Sequence, residues 1–231
     1  MTWQENYQIW ADRTDLPQNL QDDMKKLGAD EKAAEDAFYQ PLSFGTAGMR
    51  GLLGAGINRM NIFTVRQATE GLARLMDSLD DPVKGRGVAI SYDSRHFSPE
   101  FAIESAKVLG AHGIKAYVFE TLRPTPELSF TVRHLNAYAG IMITASHNPK
   151  EYNGYKVYGE DGGQMVPEAV DAVVNELAGI SDIFNIALDE DQTYVEVIDQ
   201  AIDEKYLAAM KTVTVDPELV AKEGQSLKFV Y

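Results

Sequence analysis

A serine, a histidine, an asparagine and a lysine that can do chemistry fall in one short stretch, Ser146-His147-Asn148-Pro149-Lys150-Glu151-Tyr152-Asn153-Gly154-Tyr155-Lys156. The apolar run Ile141-Met142-Ile143 reads as the end of a buried strand and breaks into small and polar residues, so a hydroxyl is delivered to a strand edge. Asn153-Gly154 suits a tight turn, which returns Lys156 toward the serine. Two chemistries follow from these types. Acyl transfer would have His147 deprotonate Ser146, but neighbours on an extended chain point apart and no Gly-x-Ser-x-Gly elbow is present. Phosphoryl transfer asks for an acceptor oxygen, cations around the equatorial oxygens and a metal, a demand that Ser146, Arg50 and Lys156 begin to meet. The plain alternative is that Ser146 to Pro149 is a turn built from common turn formers.

Arg50 lies in a second informative stretch, Phe44-Gly45-Thr46-Ala47-Gly48-Met49-Arg50-Gly51-Leu52-Leu53-Gly54-Ala55-Gly56. Glycines at this spacing let backbone amides approach an anion, while Thr46 adds a hydroxyl and Arg50 a bidentate cation. It is neither a Walker loop nor a dinucleotide fingerprint, and a glycine-marked irregular strand is the competing reading.

The elements that must position these residues alternate. Before residue 40 the chain reads as helical: Trp3, Tyr7 and Trp10 share one face, Leu20, Met24 and Leu27 another before Gly28, and Asp30 caps a third helix to about Phe38. Asn61 caps a long helix ended by Asp81-Pro82, and Val88-Ala89-Ile90 is a strand leading to Asp93-Ser94-Arg95. Ser98-Pro99-Glu100 and Thr125-Pro126-Glu127 each read as cap, proline and acidic first turn. Strands are expected at Ile114 to Phe119, Tyr138 to Ile143, Tyr155 to Tyr158 and Tyr194 to Val197, with helices from Pro167 and around Ile202, Tyr206 and Met210. This alternation predicts a layered α/β domain whose ligands sit beyond the carboxyl ends of the strands, where both Ser146 and Asp93 to Arg95 fall. Leu227 to Tyr231 reads as a strand with no partner, so the chain is expected to stop at the start of a second domain.

Composition narrows the function. A net charge of −14 argues against nucleic acid or an anionic membrane as partner, since phosphate backbones select clustered Lys and Arg. Cysteine is absent, which removes disulfides and thiolate chemistry. With no signal-like start and no apolar run near the ~20 residues of a membrane span, a cytoplasmic location is expected.

Thr144-Ala145-Ser146-His147-Asn148-Pro149, followed by Asn153-Gly154-Tyr155-Lys156, resembles the phosphoserine loop of the α-D-phosphohexomutase family. Phe44 to Gly51 is similar to that family's amino-terminal loop in its phosphoglucomutase form, and the helical start resembles the branch holding phosphoglucomutase and phosphopentomutase. The resemblance implies an α/β/α domain with a mixed sheet over residues 41–215, a helical extension over 1–40, and a truncated second domain from 216 to 231. It also implies the activity: phosphorylated Ser146 would exchange its phosphoryl group with a sugar monophosphate, interconverting glucose 1-phosphate and glucose 6-phosphate through glucose 1,6-bisphosphate, which also serves as activator. Lys156 would move the proton of the reacting hydroxyl, Arg50 would contact the transferring group, and Thr46, His147 and Asn148 would contact substrate. Mg2+ would bind a phosphoserine oxygen of Ser146 together with aspartates of a loop that this sequence lacks. The sugar grip would come from remaining domains of the same polypeptide, leaving the fragment alone inactive. A non-catalytic phosphosugar-binding or regulatory module, and phosphopentomutase or phosphomannomutase specificity, are the alternatives.

Overall fold

The computed structural model describes residues 1–45, 48–79, 83–228 and 230. Three helices open it, α1 (Trp3–Ala11), α2 (Gln18–Leu27) and α3 (Glu31–Phe38). Their apolar stripes are buried as the periodicity requires. Trp10 meets Phe38, Phe63 and Phe184 edge-on with ring centroids 5.9, 5.5 and 5.2 Å away. Phe63 and Ala55 lie beyond residue 40, so the helical start shares one core cluster with the domain that follows. Asp30 caps α3 by accepting from the Ala33 amide. Gly28 ends α2 in the right-handed region, and a Cβ there would come 2.8 Å from the Tyr7 hydroxyl, so close packing accounts for this glycine.

Six strands form one mixed sheet: β1 (Gly48–Leu52), β2 (Val88–Tyr92), β3 (Ala116–Phe119), β4 (Ala139–Ile143), β5 (Tyr152–Tyr158) and β6 (Val195–Ile198), in the order β1-β5-β4-β2-β3-β6. β4, β2, β3 and β6 are parallel, whereas β5 runs antiparallel to both β4 and β1. Side chains alternate between the two faces. Val88, Ile90, Ile141 and Ile143 enter the core beneath α4 (Ile62–Ser78), α6 (Ser98–Ala111) and α8 (Pro167–Leu177). Ala89 and Met142 instead face α7 (Thr125–His134), while Tyr117 and Phe119 meet Ile202 of α9 (Gln200–Thr212). The result is the expected α/β/α layering, with a short α5 (Val83–Arg86) before β2. Asn61 caps α4 through the amides of Phe63 and Thr64.

Several local expectations are corrected. Asn153-Gly154 is not a turn: both residues sit inside β5, paired with Gly51 and Arg50 of β1, because the antiparallel neighbour extends the strand past them. The reversal is made instead by residues 144–151. Ser98 and Thr125 do not cap, being the first residues of α6 and α7 with Phe97 and Pro124 at the cap positions. The Ser98 hydroxyl donates to Asp93 Oδ1 at 3.0 Å, a tertiary partner that outcompetes the local one. Leu227, Lys228 and Val230 are not in a strand, since no neighbour offers them a ladder; they follow α10 (Pro217–Glu223), which buries no residue. Asp81-Pro82, Phe229 and Tyr231 lie outside the described residues.

One buried carboxyl responds to pH. Glu127 of α7 is 4% exposed, and its Oε1 has no hydrogen-bond partner among the described residues. Burial, aided by the facing Asp203 of α9 and opposed by Arg123, pushes it up to about 7. Asp203 is held low by Arg123, whose Nε and Nη2 donate to it at 2.6 and 2.8 Å.

Two outcomes are expected. Trp10→Ala should lower unfolding stability by about 3–5 kcal/mol in urea titration; an unchanged midpoint would mean the helical start does not share the domain core. For Glu127, whose folded value exceeds its unfolded one, the favourable contribution is complete below about pH 4.5 and lost as pH rises through about 7. Glu127→Gln should therefore flatten stability across that window and gain about 1 kcal/mol over the parent at pH 8; a parent-like slope in the variant would assign the titration to another group.

Candidate active site around Ser146

The reversal between β4 and β5 is built from the strands outward. β4 ends at Ile143, opposite Tyr155, and Thr144 still donates its amide to Gly154 O at 3.0 Å. The Thr144 hydroxyl then accepts from the Ser146 amide at 2.9 Å, and the chain turns sharply: Ser146 has φ 56°, in the left-handed region. Ala145 is buried beneath the loop, whereas Ser146 and His147 are exposed. Because Ser146 is not extended, its neighbour does not point away. His147 Nδ1 lies 3.3 Å from Ser146 Oγ, which corrects the expectation that the imidazole is out of reach.

Gly154 makes the second approach possible. It lies in β5 between β1 and β4, and a Cβ there would come 2.6 Å from Thr144 O and 2.8 Å from Met49 O. Its absence lets β1 carry Arg50 to the serine loop, where Arg50 Nη1 donates to Asn148 Oδ1 at 2.8 Å. The two sequence stretches, 98 residues apart, are thus joined by one side-chain hydrogen bond. On one side of that bond is a cavity of 310 Å³ lined by Ser43, Gly45, Arg50, Lys156 and Gln164. On the other is one of 340 Å³ lined by Asp93, Arg95, His96, Ser146, Asn148 and Lys150.

Lys156 sits on β5 opposite Gly48 and Met142. Its amino group is held below the usual lysine range, first by burial and then by the neighbouring Arg50 guanidinium. Among the described residues its Nζ has no hydrogen-bond or ion-pair partner. The structure brings Ser146, His147, Asn148 and Arg50 together; Lys156 joins them through Arg50 and lines a different cavity from Ser146. Thr46 lies outside the described residues.

Arg95 is the residue to which the sequence assigned a place and no role. Its Nη1 donates to the carbonyls of Pro149 and Tyr152 at 2.9 and 3.0 Å, and its Nη2 to those of Ser146 and Asn148 at 2.9 and 2.6 Å. Asn153 reaches back, donating to His96 O at 3.0 Å and Ser98 Oγ at 2.9 Å. The signal available in sequence was an arginine just beyond the carboxyl end of β2, the strand beside β4. No group of three or more His, Cys, Asp or Glu is assembled for a metal among the described residues. Nor is any helix among them long and apolar enough to cross a membrane. A cavity of 880 Å³ between α2 and the start of α6 is lined by none of the serine-loop residues.

The arrangement presents a hydroxyl to solvent beside an imidazole and a guanidinium, with a lysine of lowered proton affinity behind them. A family model described as "Phosphoglucomutase/phosphomannomutase, alpha/beta/alpha domain I" matches residues 41–183. A phosphoglucomutase of Staphylococcus epidermidis is 54% identical over 136 residues, covering 58% of this chain and 24% of that protein. One of Staphylococcus aureus is 42% identical over 176 residues, covering 74% of this chain and 31% of its own length. The crystal structure of a putative phosphomannomutase from Thermus thermophilus matches with a TM-score of 0.61 at 28% identity, over 75% of this chain and 36% of that one. The chain therefore spans about a quarter to a third of the curated relatives it matches. It belongs to the phosphoglucomutase/phosphomannomutase family and carries that family's α/β/α domain I.

Proposed function

We propose that Ser146 carries a phosphoryl group and that this chain is the phosphoserine domain of a phosphoglucomutase interconverting glucose 1-phosphate and glucose 6-phosphate. The observation that carries the reading is the Arg50–Asn148 hydrogen bond, which sets a guanidinium on the loop that exposes Ser146 Oγ. In the transfer step the Oγ–P bond breaks as a P–O bond forms to a free hydroxyl of the sugar monophosphate. That hydroxyl gives up its proton, and Lys156 Nζ is the acceptor: burial and Arg50 raise the fraction of neutral amine available. Glucose 1,6-bisphosphate results, and return of its other phosphoryl group to Ser146 completes the shift. Arg50 faces the charge on the transferring group, and the His147 ring, 3.3 Å from Oγ, contacts the same oxygen. Thr46, within the glycine-rich stretch, and Asn148 complete the substrate contacts on this chain.

On this reading residues 41–215 are the phosphoserine domain, 1–40 brace it, and 216–231 lead toward further domains that supply the sugar grip. Mg2+ would be held on this chain by a phosphoryl oxygen of Ser146, with its other ligands supplied from outside it, and would provide Lewis-acid polarisation of the transferring group. A chain lacking those domains is inactive by itself, and the complete protein works in the cytoplasm.

In the complete polypeptide, intact-mass analysis should find a single phosphoryl increment that Ser146→Ala abolishes together with mutase turnover. Full turnover by Ser146→Ala would end the reading. The Lys156 role is checked by amine labelling against pH. Lys156 should react with a midpoint below that of a free lysine amine in a short peptide, and Arg50→Gln should move that midpoint upward while leaving the burial contribution in place. A midpoint for Lys156 equal to that of the peptide amine would remove Lys156 as proton acceptor.

A further inference from the structure

Two arginines approach the serine loop, and their partners separate their tasks. Among the described residues Arg50 makes one side-chain hydrogen bond, to the end of an asparagine side chain, and it lines a cavity. Arg95 has both terminal nitrogens committed to main-chain carbonyls, two bonds from each, and its Nε lies 3.4 Å from Asp93 Oδ2. Its side chain is 13% exposed. A guanidinium has five N–H donors in a rigid plane, and an arrangement that occupies four of them on carbonyls leaves little to offer a phosphoryl oxygen. The carbonyls belong to Ser146, Asn148, Pro149 and Tyr152, so one rigid fork spans the whole reversal from the serine to the first residue of β5.

The arginine is itself fixed. Its amide donates to Asp93 Oδ1 at 3.0 Å, and the same carboxylate oxygen accepts from Ser98 Oγ. Ser98 accepts from Asn153, which also holds His96 O, so the segment after β2 is tied to the start of β5 from both directions. Ser98 and Asn153 are fully buried. A left-handed serine is strained relative to ordinary backbone, and such a conformation persists where its surroundings over-determine it.

We infer that Arg95 is a positioning residue for the phosphoryl transfer: by binding the four carbonyls of the reversal it holds Ser146 in its left-handed conformation, with Oγ beside the His147 ring. The inference rests on the reading of Ser146 as the phosphoryl carrier. Lysine cannot replace it, because an ammonium is a point donor with three hydrogens and cannot span carbonyls distributed along the reversal.

The test uses the complete polypeptide with Arg95→Lys and Arg95→Ala, the lysine variant carrying it alone if the alanine variant does not fold. Turnover, kcat, should fall ~100-fold, the scale for a misplaced reacting group. KM for the sugar monophosphate should stay within about threefold, because no substrate contact is removed. Amide hydrogen exchange at residues 144–152 should accelerate in both variants. Added methylguanidinium should restore Arg95→Ala by about tenfold and leave Arg95→Lys unchanged, the lysine filling the site. A KM increase at unchanged kcat would make Arg95 a substrate ligand and overturn the inference, as would lost kcat with parent-like exchange across the loop. Failure of the underlying reading shows separately: the parent protein would then carry no phosphoryl group on Ser146, whatever Arg95 does.

Discussion

β4 is the strand on which everything near the site depends. It is buried on both faces, pairs in parallel with β2 and antiparallel with β5, and so has its backbone groups committed on both sides. The change of pairing direction forces the chain to reverse immediately after β4, at the carboxyl end of the parallel strands. That reversal is the serine loop. Its position follows from sheet topology, and its height above the sheet from Ile143↔Tyr155, the last full pair of the two strands. Gly154 then admits β1 on the far side of β5, which brings Arg50 into range. A side chain at 154 would press on main-chain oxygens of both neighbouring strands, so the union of the two functional stretches depends on one missing methyl group.

Electrostatics at the site oppose those of the molecule. The chain carries −14 overall, yet Arg50, Arg95, Lys150, Lys156 and two histidines gather about the serine. Burial first, and then repulsion from Arg50, holds Lys156 below its ordinary range. Two neighbouring cations of this kind favour an anion between them, which is in keeping with the proposed phosphoryl carrier. Arg95 contributes little to this field, because its donors are turned to carbonyl dipoles.

Legibility in sequence followed the range of each contact. The three opening helices, the cap at Asn61 and the strand core at Val88 to Ile90 were readable because local periodicity and local hydrogen bonds decide them. Ser98 and Thr125 were misread as caps because a hydroxyl beside a proline looks the same at the cap as one position into the helix, and the Ser98 hydroxyl turns back to Asp93. Asn153-Gly154 was misread as a turn for a related reason: β1, a hundred residues earlier, supplies the ladder that makes it strand. His147 was judged out of reach on the premise of an extended chain, and the left-handed Ser146 removes that premise. Arg95 was hardest to read because its partners are carbonyls, which every residue carries and no sequence distinguishes.

Backbone strain and the clamp occupy the same few residues. Of the four non-glycine residues at positive φ among those described, Phe97 at 65° and Ser146 at 56° stand at the two ends of the network formed by Asp93, Arg95, His96, Ser98 and Asn153. Each such residue costs on the order of 1–3 kcal/mol, and hydrogen bonds to a charged donor contribute about 1.5–3 kcal/mol apiece. The guanidinium binds the Ser146 carbonyl itself, and Asn153 holds the carbonyl of His96 beside Phe97. That anchoring matters for the proposed role of Ser146, whose oxygen would alternate between a free hydroxyl and a phosphate ester. A loop held only by its own turn chemistry would relax when the charge on Oγ changed. A loop held by a fork anchored in the segment after β2 would keep its backbone in place in both states.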